Sequence, residues 1–215
     1  MAIHTLQHGT MEYLVAEGVA VPHAFTTRRG GVSVGYLAGL NLGMNRGDEP
    51  QNVAENYARL GKTLGFDAEK LVLANQVHGD FVRVVTETDN RGLDHRQYPE
   101  CDGLITSTPG VTLVVFTADC TPILLHDPVT GAVGAVHAGW RGTVSAIGAK
   151  AADAMALMRL RRAVNDLEDE VMLQLCAIGE LVYATHCGNP SDSDDLQKIL
   201  EYIDDLHDEI DAHEE

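Results

Sequence analysis

Basic residues are scarce in this 215-residue sequence: 15 Lys and Arg stand against 32 Asp and Glu, a net charge of -17. Phosphate-backbone binding needs a basic surface, and no basic cluster stands out, so nucleic acid is excluded as a partner. Apolar runs of membrane-spanning length are also missing, as are the basic end and apolar stretch of a signal peptide in "MAIHTLQHGTMEYLV". These absences predict a cytoplasmic protein that does not enter a membrane. Cysteine is sparse too: Cys101, Cys120, Cys176 and Cys187 form no CxxC pair, which argues against a disulfide framework and leaves a reduced thiol free for chemistry. Aromatics make up 5% of the chain, with one tryptophan, Trp140. It lies in "VGAVHAGWRGTV", between two glycines.

What is present suffices for a folded core, since 45% of residues are hydrophobic. Charge divides the chain unevenly. Residues 1–150 carry 15 acidic and 11 basic side chains, and residues 151–215 carry 17 and 4. The first part alternates strand and helix signals. "GDEPQNVAENYARLGKTLGF" predicts a helix capped by Asp48, with Pro50 in the first turn and Val53, Tyr57, Leu60 and Leu64 on one face. "KLVLANQVHG" and "FVRVVTE" read as strands joined at Gly79 and Asp80. "VTLVVFTADC", "TPILLHD" and "GAVGAVHA" read as a buried sheet core, with "DPVTG" as the turn between the last two.

A helix capped by Thr143 is expected to run to about Met158, burying Val144, Ile147, Ala151, Met155 and Met158. Two acidic amphipathic helices then close the chain, one on Val164, Leu167, Val171, Leu175 and Ile178, the other on Leu196, Leu200, Ile203, Leu206 and Ile210. The expected organisation is a domain over 1–158 and an atypical acidic helical segment over 159–215 packed on it.

Three metal-ligating side chains fall where strands end at small-residue bends: His78, Cys120 and His137. Two imidazoles and a thiolate suit zinc, and three protein ligands leave one tetrahedral position open, the catalytic type of site. Spacing alone does not separate this reading from ordinary partly buried His and Cys. Asp119 reads either as a carboxylate orienting a ligand or as a turn former. Arg141, at a helix start, reads as an anion binder or a surface ion pair, and so do Arg28 and Arg29, whose following glycines permit close backbone approach to a ligand. Trp140 is expected to pack under the bend and fix the angle of His137, in preference to stacking on a purine. His207 reads as part of a solvated helix face, Cys176 as a helix-interior residue and His186 as a loop residue.

"FTTRRGGVS", "GLNLG", "GDEP", "NQVHG", "TADCTPILL" and "AVHAGWRG" follow the order and spacing of the multicopper polyphenol oxidase (laccase domain) family. That family is also described as purine nucleoside phosphorylase and adenosine deaminase, and in bacteria as peptidoglycan editing factor. The resemblance covers about residues 22–158. It implies an α/β fold of mixed β-sheets layered with helices, α-β-β-α, and a zinc site made of His78, Cys120 and His137. It further implies phosphorolysis of adenosine, inosine, guanosine and methylthioadenosine, with deamination of adenosine in the same pocket. Arg28 and Arg141 are then the phosphate candidates and Asn41 a polar positioning group. The expected partners are a purine nucleoside and phosphate, and a homo-oligomer is compatible with the pattern.

Two departures accompany the resemblance. Family members usually carry an Arg after the helix Asn, whereas Asn56 is followed here by Tyr57, and Arg59 points elsewhere. The "IGPxIGPCCYEV" and "FFSYRRD" type segments have no counterpart after Met158. The rival readings are an amidase acting on cell-wall precursors and a catalytically silent member that binds or assembles. A multicopper oxidase is excluded, because two histidines and one cysteine cannot build its cluster.

Overall fold

The computed structural model describes residues 2–94, 98–188 and 193–214. The chain divides into two compact units, Met1–Met155 and Ala156–Glu215.

The first unit is a mixed α/β structure, with three sheets among the described residues. Strands β1 (Ile3–His8), β2 (Met11–Ala16) and β3 (Phe25–Thr26) form an antiparallel meander that the sequence pattern did not reveal. Every residue of β1 is exposed, so no buried face imposes alternation on it. Helix α1 (Pro50–Leu64) forms where expected, with Pro50 in its first turn and Gly65 ending it at φ 81°. Its N-cap is Glu49 and not Asp48. The Asp48 carboxylate is drawn away into side-chain hydrogen bonds with Ser33, Asn41 and Asn52.

Strands β4 (Leu71–Leu73) and β7 (Thr112–Val114) pair in parallel. Alternation along β4 sends Leu71 and Leu73 toward Val53 and Tyr57 of α1, and Val72 toward Val85, Cys101 and Leu104. The second face meets a four-stranded sheet in the order β5-β6-β9-β8, built from β5 (Val82–Val84), β6 (Gly103–Thr106), β8 (Thr121–His126) and β9 (Val133–Ala138). The expected runs around 71 and 82 therefore lie in different sheets, and so do those ending at Val114 and His126. Tyr57 is fully buried, and its hydroxyl donates to the Leu42 carbonyl at 3.0 Å. Burial raises that phenol well above the usual tyrosine range.

The expected single helix from Thr143 is two elements. Helix α2 (Trp140–Val144) is capped by Gly139, and the Thr143 hydroxyl bonds back to the Gly139 carbonyl at 2.9 Å. Ala146, at φ 57°, breaks the path before α3 (Ile147–His186). Ile147, Ala151 and Met155 are buried as expected, but Val144 is 81% exposed because it belongs to the short turn. The start of α3 lies against β8, where Gly148 faces the Ile123 side chain. The layers are thus α1, the β4-β7 sheet, the four-stranded sheet and the first turns of α3.

The second unit is helical. The gap expected between two helices near 160 is absent, and α3 continues unbroken for 40 residues. Helix α4 (Ser193–Glu214) follows, and Val171, Ile203 and Leu206 bury together with Leu167, Ile178, Ile199 and Ile210 around them. Leu175 and Leu200, expected on the apolar faces, are exposed, as is Cys176. His186 is the last residue of α3 and not a loop residue, and His207 lies exposed on α4. No described helix is long and apolar enough to cross a membrane.

Candidate metal centre

The open end of the β8-β9 hairpin creates the site. Pairing of Thr121 with Ala138 and Pro122 with His137 carries Cys120, just before β8, alongside Gly139, just after β9. An ideal Cβ on Gly139 would lie 3.4 Å from Cys120 Sγ and 3.0 Å from His78 Cδ2. Only a residue without a side chain leaves that corner open. His78 arrives from the segment after β4, where Gln76 clasps the Phe116 backbone, accepting from its N-H at 2.7 Å and donating to its carbonyl at 2.8 Å. That clasp continues the β4-β7 pairing and joins the "NQVHG" and "VFTADC" segments.

The ligand atoms of His78, Cys120 and His137 lie within 4.8 Å of one another. The two imidazoles meet edge to face, with centroids 4.8 Å apart and planes at 89°. Exposure is graded: His137 is buried, Cys120 half-buried and His78 exposed. A mixed N/N/S donor set with one open side fits a tetrahedral borderline-soft ion such as zinc. His78 holds φ 59°, an uncommon conformation for a non-glycine residue and one that concentrates at functional sites.

A residue absent from the sequence reading completes the centre. Asp102, fully buried just before β6, accepts from His137 Nδ1 at 2.8 Å and from the backbone N-H groups of Val77, His78 and Gly79 at 3.2, 3.0 and 2.8 Å. The acidic residue beside the ligands is therefore Asp102, while Asp119 is exposed. The sequence signal of Asp102 was a carboxylate set between Cys101 and the apolar run "GLIT".

Arg141 and Trp140 flank the cluster on α2. Trp140 is 72% exposed and does not pack under the bend, since its helix turn points outward and Arg141 lies over the indole face at 5.4 Å. The turn that fixes the bend is instead closed by Gly142, where a Cβ would fall 2.7 Å from the Gly79 carbonyl.

The remaining predicted residues sit in a second polar cluster. Arg28 donates twice to the Ala38 carbonyl, at 3.2 and 2.9 Å, and Arg29 lies 3.6 Å from Glu12. The glycines after them admit the chain's own backbone: Gly30 lies against Met11, and Gly31 against Gly39 and Leu40. Asn41 donates to Asp48 at 2.9 Å and accepts from Gly43 N-H at 3.1 Å. Fully buried Asn56 ties this loop to α1 through Val32, Ser33 and Asn41. Arg59 is engaged on the helix surface by Glu55 at 2.7 Å.

Hydrogen bonds from Asn41, then Ser33 and Asn52, hold the Asp48 carboxyl down to about 2. A folded-state value below the unfolded one, about 3.9, means this stabilisation is complete above that value and disappears as pH falls through about 2. Asp48→Asn is accordingly expected to unfold more readily than wild type at pH 7. Denaturant titrations at a series of pH values should show that difference shrinking between pH 4 and 2; a constant difference would contradict the assignment.

Fold and site together define an α/β protein with a His-Cys-His centre capable of holding a metal ion. Residues 22–167 match the family described as multi-copper polyphenol oxidoreductase laccase, and the chain belongs to that family. It is 52% identical over 151 residues to a Deinococcus radiodurans protein named purine nucleoside phosphorylase, an alignment covering 69% of this chain and 55% of that protein. A Streptomyces griseus protein named purine nucleoside phosphorylase ORF3 is 44% identical over 135 residues, covering 63% and 54%. The crystal structure of YlmD from Geobacillus stearothermophilus superposes with a TM-score of 0.61 at 38% identity, over 66% of this chain and 55% of that one. A Bacillus licheniformis protein, YfiH, also gives 0.61, at 34% identity, over 73% and 58%. The chain thus spans a little over half the length of these relatives.

Proposed function

We propose that this chain is a zinc-dependent purine nucleoside phosphorylase that also deaminates adenosine, acting on a nucleoside and phosphate in the cytoplasm. The observation that carries the reading is the convergence of His78, Cys120 and His137 at the open end of the β8-β9 hairpin, in a family whose relatives carry the phosphorylase name. Bound zinc in a three-ligand site supplies Lewis acidity and lowers the pKa of water to about 7.

In phosphorolysis the glycosidic C-N bond breaks, a phosphate oxygen bonds to the ribose carbon, and the base departs with a proton. The protein's task is to hold the anion and stabilise charge on the departing purine. Arg141 is the better placed of the two phosphate candidates, because its guanidinium rests on an exposed indole, whereas that of Arg28 already serves Ala38. Exposed Trp140 offers a planar face for a purine. Asn41 positions substrate from the polar loop it helps to order. In deamination, water adds at the purine carbon bearing the amino group and ammonia leaves. Tyr57, which stands where the resemblance leads one to expect an Arg, is committed to the core and supplies no anion-binding group, so the phosphate role falls to Arg141.

Zinc-loaded protein incubated with adenosine should release adenine only when phosphate is present, and inosine with or without it. His137→Ala should lose both the metal and both products. Metal-loaded wild type that makes no product, or phosphorolysis unchanged in His137→Ala, would overturn the proposal.

A further inference from the structure

We propose that Asp102 is a positioning residue that sets two of the three metal ligands at once, fixing the tautomer of His137 and the backbone of His78 before any ion arrives. The inference rests on the metal-centre reading above but not on the nucleoside chemistry.

The placement follows from the sheet. β6 and β9 pair antiparallel with Gly103 opposite Val136, so the next pair along is Asp102 and His137, and His137 N-H donates to the Asp102 carbonyl at 2.7 Å. The two side chains then share one face of the sheet. Asp102 Oδ1 takes His137 Nδ1 at 2.8 Å, which puts the proton of the neutral ring on Nδ1 and frees the Nε2 lone pair for a ligand bond. The opposite tautomer would set a protonless nitrogen against a carboxylate that can only accept.

The same carboxylate organises the second ligand. Oδ1 accepts from His78 N-H at 3.0 Å, while Oδ2 accepts from Val77 N-H at 3.2 Å and Gly79 N-H at 2.8 Å. Three successive backbone donors aimed at one side chain define a tight loop, and His78 at its centre holds φ 59°. Such strain persists only where surroundings over-determine it. With Asp102 fully buried, losing the acceptor leaves these donors without water to replace it. A purely structural acceptor would hold the loop but would have no bearing on which His137 nitrogen carries the proton.

The test uses the whole chain and two readouts other than turnover. Asp102→Asn keeps the side-chain volume but replaces one acceptor with an N-H donor. It is expected to weaken cobalt(II) and zinc(II) binding by about 10–100-fold and to change the ligand-field spectrum of the cobalt form. Long-range proton-nitrogen NMR of the metal-free wild type should show His137 protonated at Nδ1, with the other tautomer appearing in the variant. An Asp102→Asn affinity within about twofold of wild type, or a wild-type His137 protonated at Nε2, would overturn the inference. If the variant does not fold, the wild-type NMR measurement decides alone. Metal-loaded wild type lacking phosphorolysis would count against the proposed function and leave both readouts for Asp102 standing.

Discussion

Gly139→Ala is expected to raise the dissociation constant for zinc(II) or cobalt(II) at least about tenfold, while lowering stability by only about 1 kcal/mol. Gly139 sits at φ -73° and ψ 172°, which any residue adopts, so the substitution introduces no backbone strain. What it introduces is a methyl group 3.0 Å from His78 Cδ2 and 3.4 Å from Cys120 Sγ. Both neighbours are side chains and can withdraw by a few tenths of an ångström, so the fold survives. The displacement, however, falls on two ligands whose separation decides whether one ion can bridge them. Isothermal titration with either ion, beside a denaturant titration of the metal-free protein, separates the two effects. Unchanged affinity would show that Gly139 shapes the fold and not the metal corner.

The sequence pattern singled out these three residues for a physical reason, although it took the family resemblance to join them into one site. His78, Cys120 and His137 each end an apolar run at small residues, and strand ends are where rigid backbone meets open space. Asp102 was missed because it works from inside: its sequence neighbour Cys101 turns into the core, His137 lies 35 residues away, and only the β6-β9 register reveals that partner. Trp140 failed in the opposite direction. Bulk suggested burial, yet a bend of glycines is set by what the glycines admit, here the Gly79 carbonyl and the His78 ring, while the indole turns outward beneath Arg141.

The fold divides along the same line. Helix α1 was legible because Val53, Tyr57 and Leu60 bury on one face, a pattern imposed by a single buried side. The β1-β2 hairpin was not, because exposure removes the constraint that would write alternation into the sequence. Periodicity also cannot show where a helix continues. Ala146 divides what looked like one helix, whereas nothing divides α3 near 160, where the apolar period merely drifts around the axis.

Gly39→Ala is expected to be strongly damaging to the polar loop, costing on the order of 3–5 kcal/mol. Two effects add there. Gly39 holds φ 108°, outside the range L residues favour, and its Cβ would lie 2.0 Å from the Arg28 carbonyl oxygen. Neither group can step aside, because Leu40 N-H binds that same carbonyl at 2.7 Å and Gly39 exchanges two backbone hydrogen bonds with Ser33. Gly35→Ala provides the control within the same loop: φ is 65° but nothing lies within 4 Å, so it should cost only about 1–2 kcal/mol. The contrast between the two, read by denaturant titration, sets a position with a backbone clash and an unfavourable dihedral against one with a left-handed dihedral and open space. Because the crossing at Gly39 also sets Arg28, Asn41 and Asp48, the proposed function has a Gly39→Ala protein that remains folded lose nucleoside turnover while keeping whatever metal affinity the wild type shows at His78, Cys120 and His137. Equal stability losses for the two variants would mean that the backbone crossing is loose and that the polar loop is held by its side-chain network alone.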